Sequence, residues 1–207
     1  SVDLIACEDT RRTGTLLKKL NIKEKKLISY YQPIEEKKSL EIINMILEKS
    51  CSVALVSDAG TPTISDPGFR LVAAARKHNI RVSPVPGPSS FVSLASVSGL
   101  PTDRILFVGF LPRKKKAIIE EVSSWKRIGA SIIFLESALR IKKTMIEIYA
   151  LYPNSMIVIG REITKKYEEI VVFSVEKAQA WLENKATLKG EFTIMLNIKN
   201  SEFQQDF

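Results

Sequence analysis

The sequence predicts an α/β protein with two α/β domains, the first built on a mainly parallel sheet and the second on a mixed sheet. Short runs of β-branched residues alternate with helical patterns along most of the 207 residues. Such alternation is typical of parallel sheets that are covered by helices. The stretch Gly-Leu-Pro-Thr-Asp at residues 99–103 interrupts it before a new strand begins. We therefore place the domains at residues 1–103 and 104–207.

The first domain contains four predicted strands, at residues 2–7, 26–31, 52–57 and 81–85. Two helices are indicated between them by apolar residues at helical spacing. These residues are Leu40, Ile43 and Leu47 in one helix, and Leu71, Ala74 and Ala75 in the other. Strands that alternate with helices in this way predict a parallel sheet.

The second domain contains five predicted strands, at residues 105–110, 130–135, 155–159, 170–175 and 192–198. Helices are predicted at residues 115–127, 139–152 and 175–183. The first two have apolar faces, which consist of Ile118, Val122 and Trp125, and of Ile141, Met145, Ile148 and Tyr152. Because one helical stretch separates the last two strands, we expect a mixed sheet with some antiparallel pairing.

Composition indicates a soluble, cytoplasmic protein without a metal site. The two cysteines, Cys7 and Cys51, lack metal-ligand spacing, and the single histidine, His78, has no partner motif. No apolar run approaches the roughly 18 residues that span a bilayer, and the first residues do not resemble a secretory signal. The net charge of +8 suits a polyanionic partner, although many basic proteins use such an excess only for solubility.

The loop at residues 57–68 is the first candidate ligand site. The chain has no glycine-rich phosphate-binding motif, yet Asp58, Gly60 and Thr61 follow a strand where a parallel sheet opens its ligand crevice. A carboxylate and free backbone amides there suit a zwitterionic ligand, although aspartate and glycine are also ordinary turn residues. Asp66 and Pro67 are expected to cap and begin the next helix.

Three further loops carry polar or charged residues. In residues 85–90, two prolines and a glycine precede Ser89 and Ser90, either of which can cap a helix or donate to a ligand. In residues 7–14, Asp9 or Thr10 can cap the following helix, or an acidic group and two arginines can orient a ribose hydroxyl and grip phosphate. In residues 112–116, basic residues open a helix, which suggests that an anion docks there unless the run is merely solvated.

Six ordered motifs resemble the tetrapyrrole methylase superfamily, and within it the ribosomal RNA methyltransferases. The motifs lie at residues 7–13, 57–68, 85–90, 109–114, 161–165 and 189–192. The resemblance implies two α/β domains with S-adenosylmethionine in the cleft between them, and a homodimer. It further implies 2′-O-methylation of a cytidine in the decoding region of 16S rRNA, with the assembled small ribosomal subunit as substrate.

The resemblance also assigns residues to the cofactor. In the first domain these residues are Asp58, Ala59, Gly60, Thr61, Ser89 and Ser90. The matching positions in the second domain are Ser137, Arg161 and Gly190. Members of the group begin with a further strand and a Gly-Asn loop, and continue past a position equivalent to Phe207. They also tend to carry a histidine where this chain has Leu139, so no role of that histidine transfers.

The catalytic and RNA-binding residues are hypotheses from position and charge. Glu8 or Asp9 is expected to accept or orient the proton of the ribose hydroxyl. The residues expected to bind the substrate RNA are Arg11, Arg12, Arg113, Lys114 and Lys115. Two alternatives stay open: methylation of a tetrapyrrole such as uroporphyrinogen, whose carboxylates also suit a basic surface, and a non-catalytic RNA- or ribosome-binding protein on the same fold.

Overall fold

The computed structural model describes residues 2–23, 25–185 and 188–198, and the chain divides into two compact units, Ser1–Pro88 and Ser89–Phe207. Each unit contains one sheet. The division falls at Pro88 because Leu94 and Leu100 pack against Ile133 and Met156 of the second unit. By packing, residues 89–103 therefore group with the second unit. The domain boundary at residue 103 stays a prediction.

The first unit contains a three-stranded parallel sheet in the order β2-β1-β3. Its elements are β1 (Leu4–Cys7), α1 (Thr10–Lys19), β2 (Lys26–Ser29), α2 (Glu35–Lys49), β3 (Val53–Val56) and α3 (Phe69–Lys77), with a short 3-10 helix at Gln32–Ile34 before α2. Strand β1 is buried along its whole length. The predicted parallel pairing is confirmed.

The core of the first unit joins α2 and α3 to the sheet, through Ile42, Ile43, Leu71 and Ala75 among others. The predicted face of α3 is confirmed, but that of α2 is only partly right. Leu40 and Leu47 are 58% and 52% exposed. Apolar residues occur on more than one side of α2, and the residues that face the sheet are those around Ile42 and Ile43.

The predicted strand at residues 81–85 is wrong, because this segment forms no strand in the structure. Pro84, Pro86 and Pro88 stand at alternate positions, and each lacks the amide N–H that a sheet neighbour would need. Val82 still packs against the core of the unit, while Val85 is 89% exposed. The β-branched composition therefore reflects partial burial without sheet pairing.

The N-terminus of α3 is capped by a residue from α2 and not by Asp66. Helix α3 starts at Phe69, and its N-cap residue is Gly68, so the prediction that Asp66 caps the helix and Pro67 begins it is wrong. Thr63 and Ser65 have positive φ values of 75° and 62°. Because of these left-handed residues, α3 begins at Phe69, two residues after Pro67.

Glu35 supplies the missing cap. Its Oε1 accepts the backbone N–H groups of Gly68 at 2.9 Å and Arg70 at 3.1 Å, and also the Tyr30 hydroxyl at 3.1 Å. Tyr30 further bonds Ser39 Oγ at 2.9 Å. Burial raises the pKa of Tyr30 to about 12, so the phenol stays neutral and can donate to the carboxylate. This buried network fixes the end of the loop that leaves β3.

Gly68 permits the close approach between this loop and the sheet. Its φ is 142°, a value that residues with a side chain rarely adopt. A Cβ atom there would lie 2.7 Å from Leu55 Cδ2 and 2.8 Å from Thr63 Cγ2. Glycine is therefore required by both conformation and space.

The second unit contains a mixed five-stranded sheet in the order β4-β5-β8-β6-β7. Its elements are α4 (Ser90–Val97), β4 (Ile105–Phe110), α5 (Lys115–Ser124), β5 (Ser131–Ser137), α6 (Ile141–Leu151), β6 (Met156–Arg161), β7 (Glu169–Ser174), α7 (Val175–Asn184) and β8 (Glu191–Asn197), with a 3-10 helix at Trp125–Arg127. Strands β4 and β5 are parallel, and the remaining pairs are antiparallel. The predicted mixed sheet is confirmed.

The core of the second unit lies between the sheet and helices α5, α6 and α7. Trp125 is 1% exposed and packs against Phe134 with a ring-centroid distance of 5.7 Å. The predicted apolar faces of α5 and α6 are buried, apart from Tyr152, which is half-buried just after α6. Across the residues described here, no helix combines the length and the apolar character needed to cross a membrane.

Replacing Glu35 tests the cap on α3. Glu35→Ala leaves the amides of Gly68 and Arg70 without their acceptor, and we expect a loss of about 2 kcal/mol in the free energy of unfolding. Glu35→Gln keeps an oxygen acceptor and should lose less. Urea unfolding followed by circular dichroism measures the stability, and hydrogen exchange at residues 68 and 70 should accelerate in Glu35→Ala.

Glu36→Ala is the matched control for this variant. Glu36 lies in the same first turn of α2, but its side chain is 82% exposed and only approaches Arg70 at 3.9 Å. Equal stability and equal exchange in the two alanine variants would contradict the capping role of Glu35.

Candidate functional site

The three strands of the first unit end at one edge of the sheet. Cys7 pairs in parallel register with Ser29 of β2 and with Val56 of β3. The residues that follow β1 and β3 are thereby brought together. The contact that demonstrates it is the ion pair between Arg12 Nη1 and Asp58 Oδ2 at 2.8 Å.

Asp9 is the N-cap of α1, and its carboxylate is occupied by Arg11. Its Oδ1 accepts the Arg11 backbone N–H at 2.8 Å and Arg11 Nε at 3.1 Å, and its Oδ2 accepts Arg11 Nη2 at 2.8 Å. The guanidinium, followed by the backbone amide, lowers the pKa of Asp9 well below its ordinary value. A carboxylate held in this way is a weak proton acceptor. The capping interpretation of Asp9 is confirmed.

Glu8 differs from its neighbour. It is half-buried, and its side chain forms no hydrogen bond or ion pair with the other described residues. Its carboxylate is therefore not committed to a partner of the same unit, whereas that of Asp9 is.

The loop at residues 57–68 meets the loop at residues 85–88 inside the first unit. The Thr61 hydroxyl donates to the carbonyl oxygen of Pro88 at 3.3 Å. Gly60 adopts a positive φ of 72° and is exposed, as is Ala59. These backbone groups lie next to Asp58, whose side chain is 20% exposed beside Arg12.

Ser57 adds a group that the sequence interpretation missed. Its hydroxyl oxygen is buried, and it has no hydrogen-bond partner among the described residues. It directly follows β3, at the same edge as Asp58. Buried hydroxyls are normally hydrogen-bonded, so this one is suited to meet a polar ligand. Ser57 lies within the candidate loop at residues 57–68, but the sequence does not single it out there, because a serine at a strand end is ordinary.

Three predicted residues of the second unit also share one sheet edge. Ser137 pairs with Glu191, and Arg161 pairs with Phe192, so Gly190 lies at the edge where β5 and β6 end and β8 begins. Strand β4 ends there as well, because Phe110 pairs in parallel with Leu135.

Gly190 has little space above it. Its φ is 97°, and a Cβ atom would lie 2.5 Å from Glu162 Cγ. Glu162 accepts the Glu191 backbone N–H at 2.9 Å and pairs with Lys165 at 3.0 Å; these groups lower its pKa. Glu162 therefore fixes the start of β8, a role that sequence analysis did not find.

Arg161 is engaged within the second unit. Its Nε donates to Glu169 at 3.1 Å, and its Nη1 donates to the carbonyl oxygen of Lys189 at 3.1 Å. Glu169 also pairs with Lys185 at 2.6 Å. Arg161 thus holds the residue before Gly190 in place, and only part of its guanidinium remains for a ligand.

Ser89 and Ser90 stand at the start of α4. Ser89 is the N-cap residue by backbone conformation, but its side chain makes no capping hydrogen bond. Ser90 is the first helical residue and is exposed. The expectation that one of them caps the helix through its hydroxyl is therefore wrong, and both hydroxyls are left for other partners.

The basic cluster divides into free and paired cations. Arg113 and Lys114 are exposed and form no ion pair with other described residues. Lys115 pairs with Glu147 at 3.1 Å, and the Glu147 side chain is only 7% exposed. Lys115 therefore also compensates a buried charge, which limits its availability for RNA.

Arg140 stabilises the segment that precedes the basic cluster. Its Nη2 donates to the carbonyl oxygens of Leu111 and Pro112 at 2.8 and 2.7 Å and pairs with Glu136 at 3.2 Å. Glu136 is 1% exposed and also accepts the Thr144 hydroxyl at 2.7 Å. Arg140 thus connects a buried carboxylate to the segment that precedes Arg113.

The described residues do not form a candidate metal site, and Leu139 lies in an exposed turn. No group of three or more histidine, cysteine or acidic side chains suited to a metal ion occurs within the described ranges. Leu139 is 98% exposed in the turn before α6.

Comparison with known proteins decides the family. The profile of the family described as Tetrapyrrole (Corrin/Porphyrin) Methylases matches residues 1–179. The chain belongs to this methylase family. Ribosomal RNA small subunit methyltransferase I of Hydrogenobaculum sp. (strain Y04AAS1) is 43% identical over 206 residues, which cover 99% of this chain and 88% of the relative.

Further similarities agree with this membership of the tetrapyrrole methylase family. The protein of the same name from Halalkalibacterium halodurans is 42% identical over 194 residues, which cover 94% of this chain and 66% of the relative. The crystal structure of uroporphyrin-III C-methyltransferase from Thermus thermophilus, complexed with S-adenosylhomocysteine, matches with a TM-score of 0.57. It is 17% identical and covers 94% of this chain and 85% of that chain. The predicted fold and family are confirmed.

Replacing Arg140 tests how the basic turn is held. Arg140→Ala leaves the buried Glu136 without its cation and frees two carbonyl oxygens, so we expect a loss of about 3 kcal/mol in the free energy of unfolding. Tryptophan fluorescence during urea unfolding measures this free energy, because Trp125 lies in the core of the second unit. Lys143→Ala, on an exposed position of α6, should change stability by less than about 0.5 kcal/mol. Comparable losses in both variants would contradict this role of Arg140.

Proposed function

We propose that the chain is an S-adenosylmethionine-dependent methyltransferase that methylates the 2′-oxygen of a cytidine ribose in 16S rRNA of the small ribosomal subunit. The observation that carries the proposal is the shared edge in the first unit, where unused or exposed polar groups stand beside arginines. Relatives named ribosomal RNA small subunit methyltransferase I, 43% and 42% identical, support rRNA as the substrate class. We also propose a homodimer and a cytoplasmic location.

The residues present fit the amino-acid end of the cofactor. The orphaned Ser57 hydroxyl, the partly exposed Asp58 carboxylate and the backbone of Ala59, Gly60 and Thr61 offer donors and acceptors for an ammonium and a carboxylate. S-adenosylmethionine supplies an electrophilic methyl group on a sulfonium. The solved relative that carries S-adenosylhomocysteine supports this cofactor class.

The second unit would contribute from its own edge and from the start of α4. The proposed contacts are Ser89, Ser90, Ser137, Arg161 and Gly190. The hydroxyls of the first two are not used for capping, and the backbone at Gly190 is held by Glu162 and Arg161. Fixed donors of this kind orient a ligand without reorganising when it binds.

The two carboxylates after β1 have different parts in the proposed reaction. A bound S-adenosylmethionine would supply the methyl group to the ribose oxygen, and the hydroxyl proton of the ribose would then need an acceptor on the protein. Asp9 is a weak acceptor because Arg11 occupies it, so we assign proton acceptance to Glu8 and orientation of Arg11 to Asp9. Proton transfer to a positioned base typically contributes about 100-fold or more.

The RNA backbone would be bound by cations on both units. Arg11 and Arg12 are 90% and 73% exposed in their side chains, and Arg113 and Lys114 are exposed without ion pairs to other described residues. Lys115 stays in this group, with a smaller share because of Glu147. Phosphate contacts position a nucleic acid without reading its sequence.

A substrate test separates the candidate functions. With methyl-labelled S-adenosylmethionine and either purified small subunits or uroporphyrinogen, we expect label only in 16S rRNA, recovered as 2′-O-methylcytidine after nuclease digestion. Label in the tetrapyrrole would overturn the RNA assignment. Binding of small subunits with no cofactor binding by calorimetry would instead establish a non-catalytic ribosome-binding protein.

A pair of isosteric variants tests the carboxylates. Glu8→Gln should lower kcat for subunit methylation by about 100-fold with little change in the dissociation constant of S-adenosylhomocysteine. Asp9→Asn should have a smaller effect on kcat, because it weakens a cap and the Arg11 contact. If both variants keep full methylation of small subunits, neither residue takes the proton.

A further inference from the structure

A groove lies along the exposed side of α1, and the proposed cofactor and RNA contacts use only part of it. The groove is open, has a volume of about 560 Å³, and is lined by Asp9, Arg11, Arg12, Thr15, Leu16 and Lys19. Arg11, Thr15 and Lys19 are spaced by four residues, so they form one stripe along the helix, and Arg12 and Leu16 lie beside it. The stripe is about 12 Å long at 1.5 Å per residue.

The charge of this groove is positive despite one carboxylate in its wall. Three of the lining residues are cations and one, Asp9, is an anion. Lys19 forms no ion pair with other described residues. Arg12 uses one of its nitrogens for Asp58, and since a guanidinium has five N–H donors, most of them remain available at a side chain that is 73% exposed.

Apolar surface accompanies these cations. Leu16 is 51% exposed inside the groove, and Leu20 and Ile22 are 58% and 44% exposed just beyond the end of α1. A single nucleic-acid strand presents charged phosphates and the flat, weakly polar faces of its bases. Cations next to exposed aliphatic side chains match both.

We propose that the α1 groove binds the phosphodiester backbone of the RNA strand next to the reacting nucleotide, with Thr15, Leu16 and Lys19 as contacts in addition to the two arginines. This inference rests on the proposed function. The groove begins at Asp9, at the edge where Glu8 and Asp58 lie, and extends about 12 Å, so more than one phosphate of a strand can lie along it. Its role is to position the strand.

Removing one cation tests the groove. Lys19→Ala should weaken binding of a fluorescein-labelled oligocytidylate about fivefold at 0.1 M salt and reduce the slope of log affinity against log salt by about 0.7. Lys77→Ala is the matched control, because Lys77 occupies the last turn of α3 as Lys19 occupies the last turn of α1. Equal affinities and slopes in the two variants would overturn the proposal.

Adding a negative charge inside the groove gives a second, independent test. Among the described residues, the Thr15 hydroxyl bonds only the Arg11 carbonyl of its own helix, so the position tolerates other helix-forming residues. Thr15→Glu and Thr15→Gln have nearly the same size, and both favour helix. We expect about tenfold weaker RNA binding for the glutamate variant and a change within about twofold for glutamine. Identical affinities would contradict an RNA strand at this position.

Methyl transfer to small subunits distinguishes failure of the groove from failure of the proposed function. Lys19→Ala and Thr15→Glu should raise KM for subunits while the dissociation constant of S-adenosylhomocysteine stays unchanged. If the wild-type protein transfers methyl groups and both variants bind RNA and subunits normally, only the proposal for the α1 groove is wrong. If the wild-type protein transfers no methyl groups but the RNA affinities of the variants fall as expected, only the proposed function is wrong. Binding to phosphatidylglycerol vesicles without binding to RNA would also overturn the groove.

Discussion

The pairing of β1 with a parallel neighbour on each side is the constraint on which the first unit depends. Because Cys7 is in register with Ser29 and Val56, the segments after β1 and β3 must leave the sheet at the same edge. Charged residues 46 positions apart in sequence, Arg12 and Asp58, thereby come within 2.8 Å. A shift of register would separate these groups, so the candidate chemistry follows from the pairing of buried strands.

The ion pairs of the molecule decide which cations are available to an anionic partner. A count of basic residues treats Lys115, Arg140 and Lys114 alike. The structure shows that Lys115 compensates the buried Glu147 and that Arg140 compensates Glu136, whereas Lys114 is exposed without an ion pair to the residues described here. An uncompensated buried carboxylate lowers the stability of the fold. Mutation of Lys115 or Arg140 would therefore reduce stability in addition to any effect on RNA binding.

Most of the fold could be predicted from local patterns, and the errors have a common cause. Ile118, Val122 and Trp125 recur at helical spacing because one side of α5 is buried, so their pattern predicts both helix and core. Residues 81–85 have strand composition, but three prolines prevent pairing. Asp66 has the local chemistry of a cap, yet the cap is Glu35, 33 residues from Gly68. Local sequence predicts which groups need a partner but does not identify a distant one.

The same limit applies to the candidate site. The position of Asp58 at a strand end could be inferred from the sequence pattern, whereas Ser137, Arg161 and Gly190 are indicated only by the resemblance to the family. The contribution of Glu162 could not be inferred, since it depends on how a side chain fits over Gly190. Likewise, the sequence identifies Asp9 as a possible helix cap, but only the geometry of Arg11 shows that its carboxylate is occupied, whereas that of Glu8 has no partner among the described residues.

The left-handed residues Thr63 and Ser65 have a consequence for how the loop after β3 would meet a ligand. Each conformation costs about 1 kcal/mol relative to an ordinary backbone, and the buried contacts of Glu35 and Gly68 hold that conformation in the folded chain. The entropy of ordering this loop is therefore lost during folding and not during association. Preorganisation of this kind strengthens binding without any additional contact.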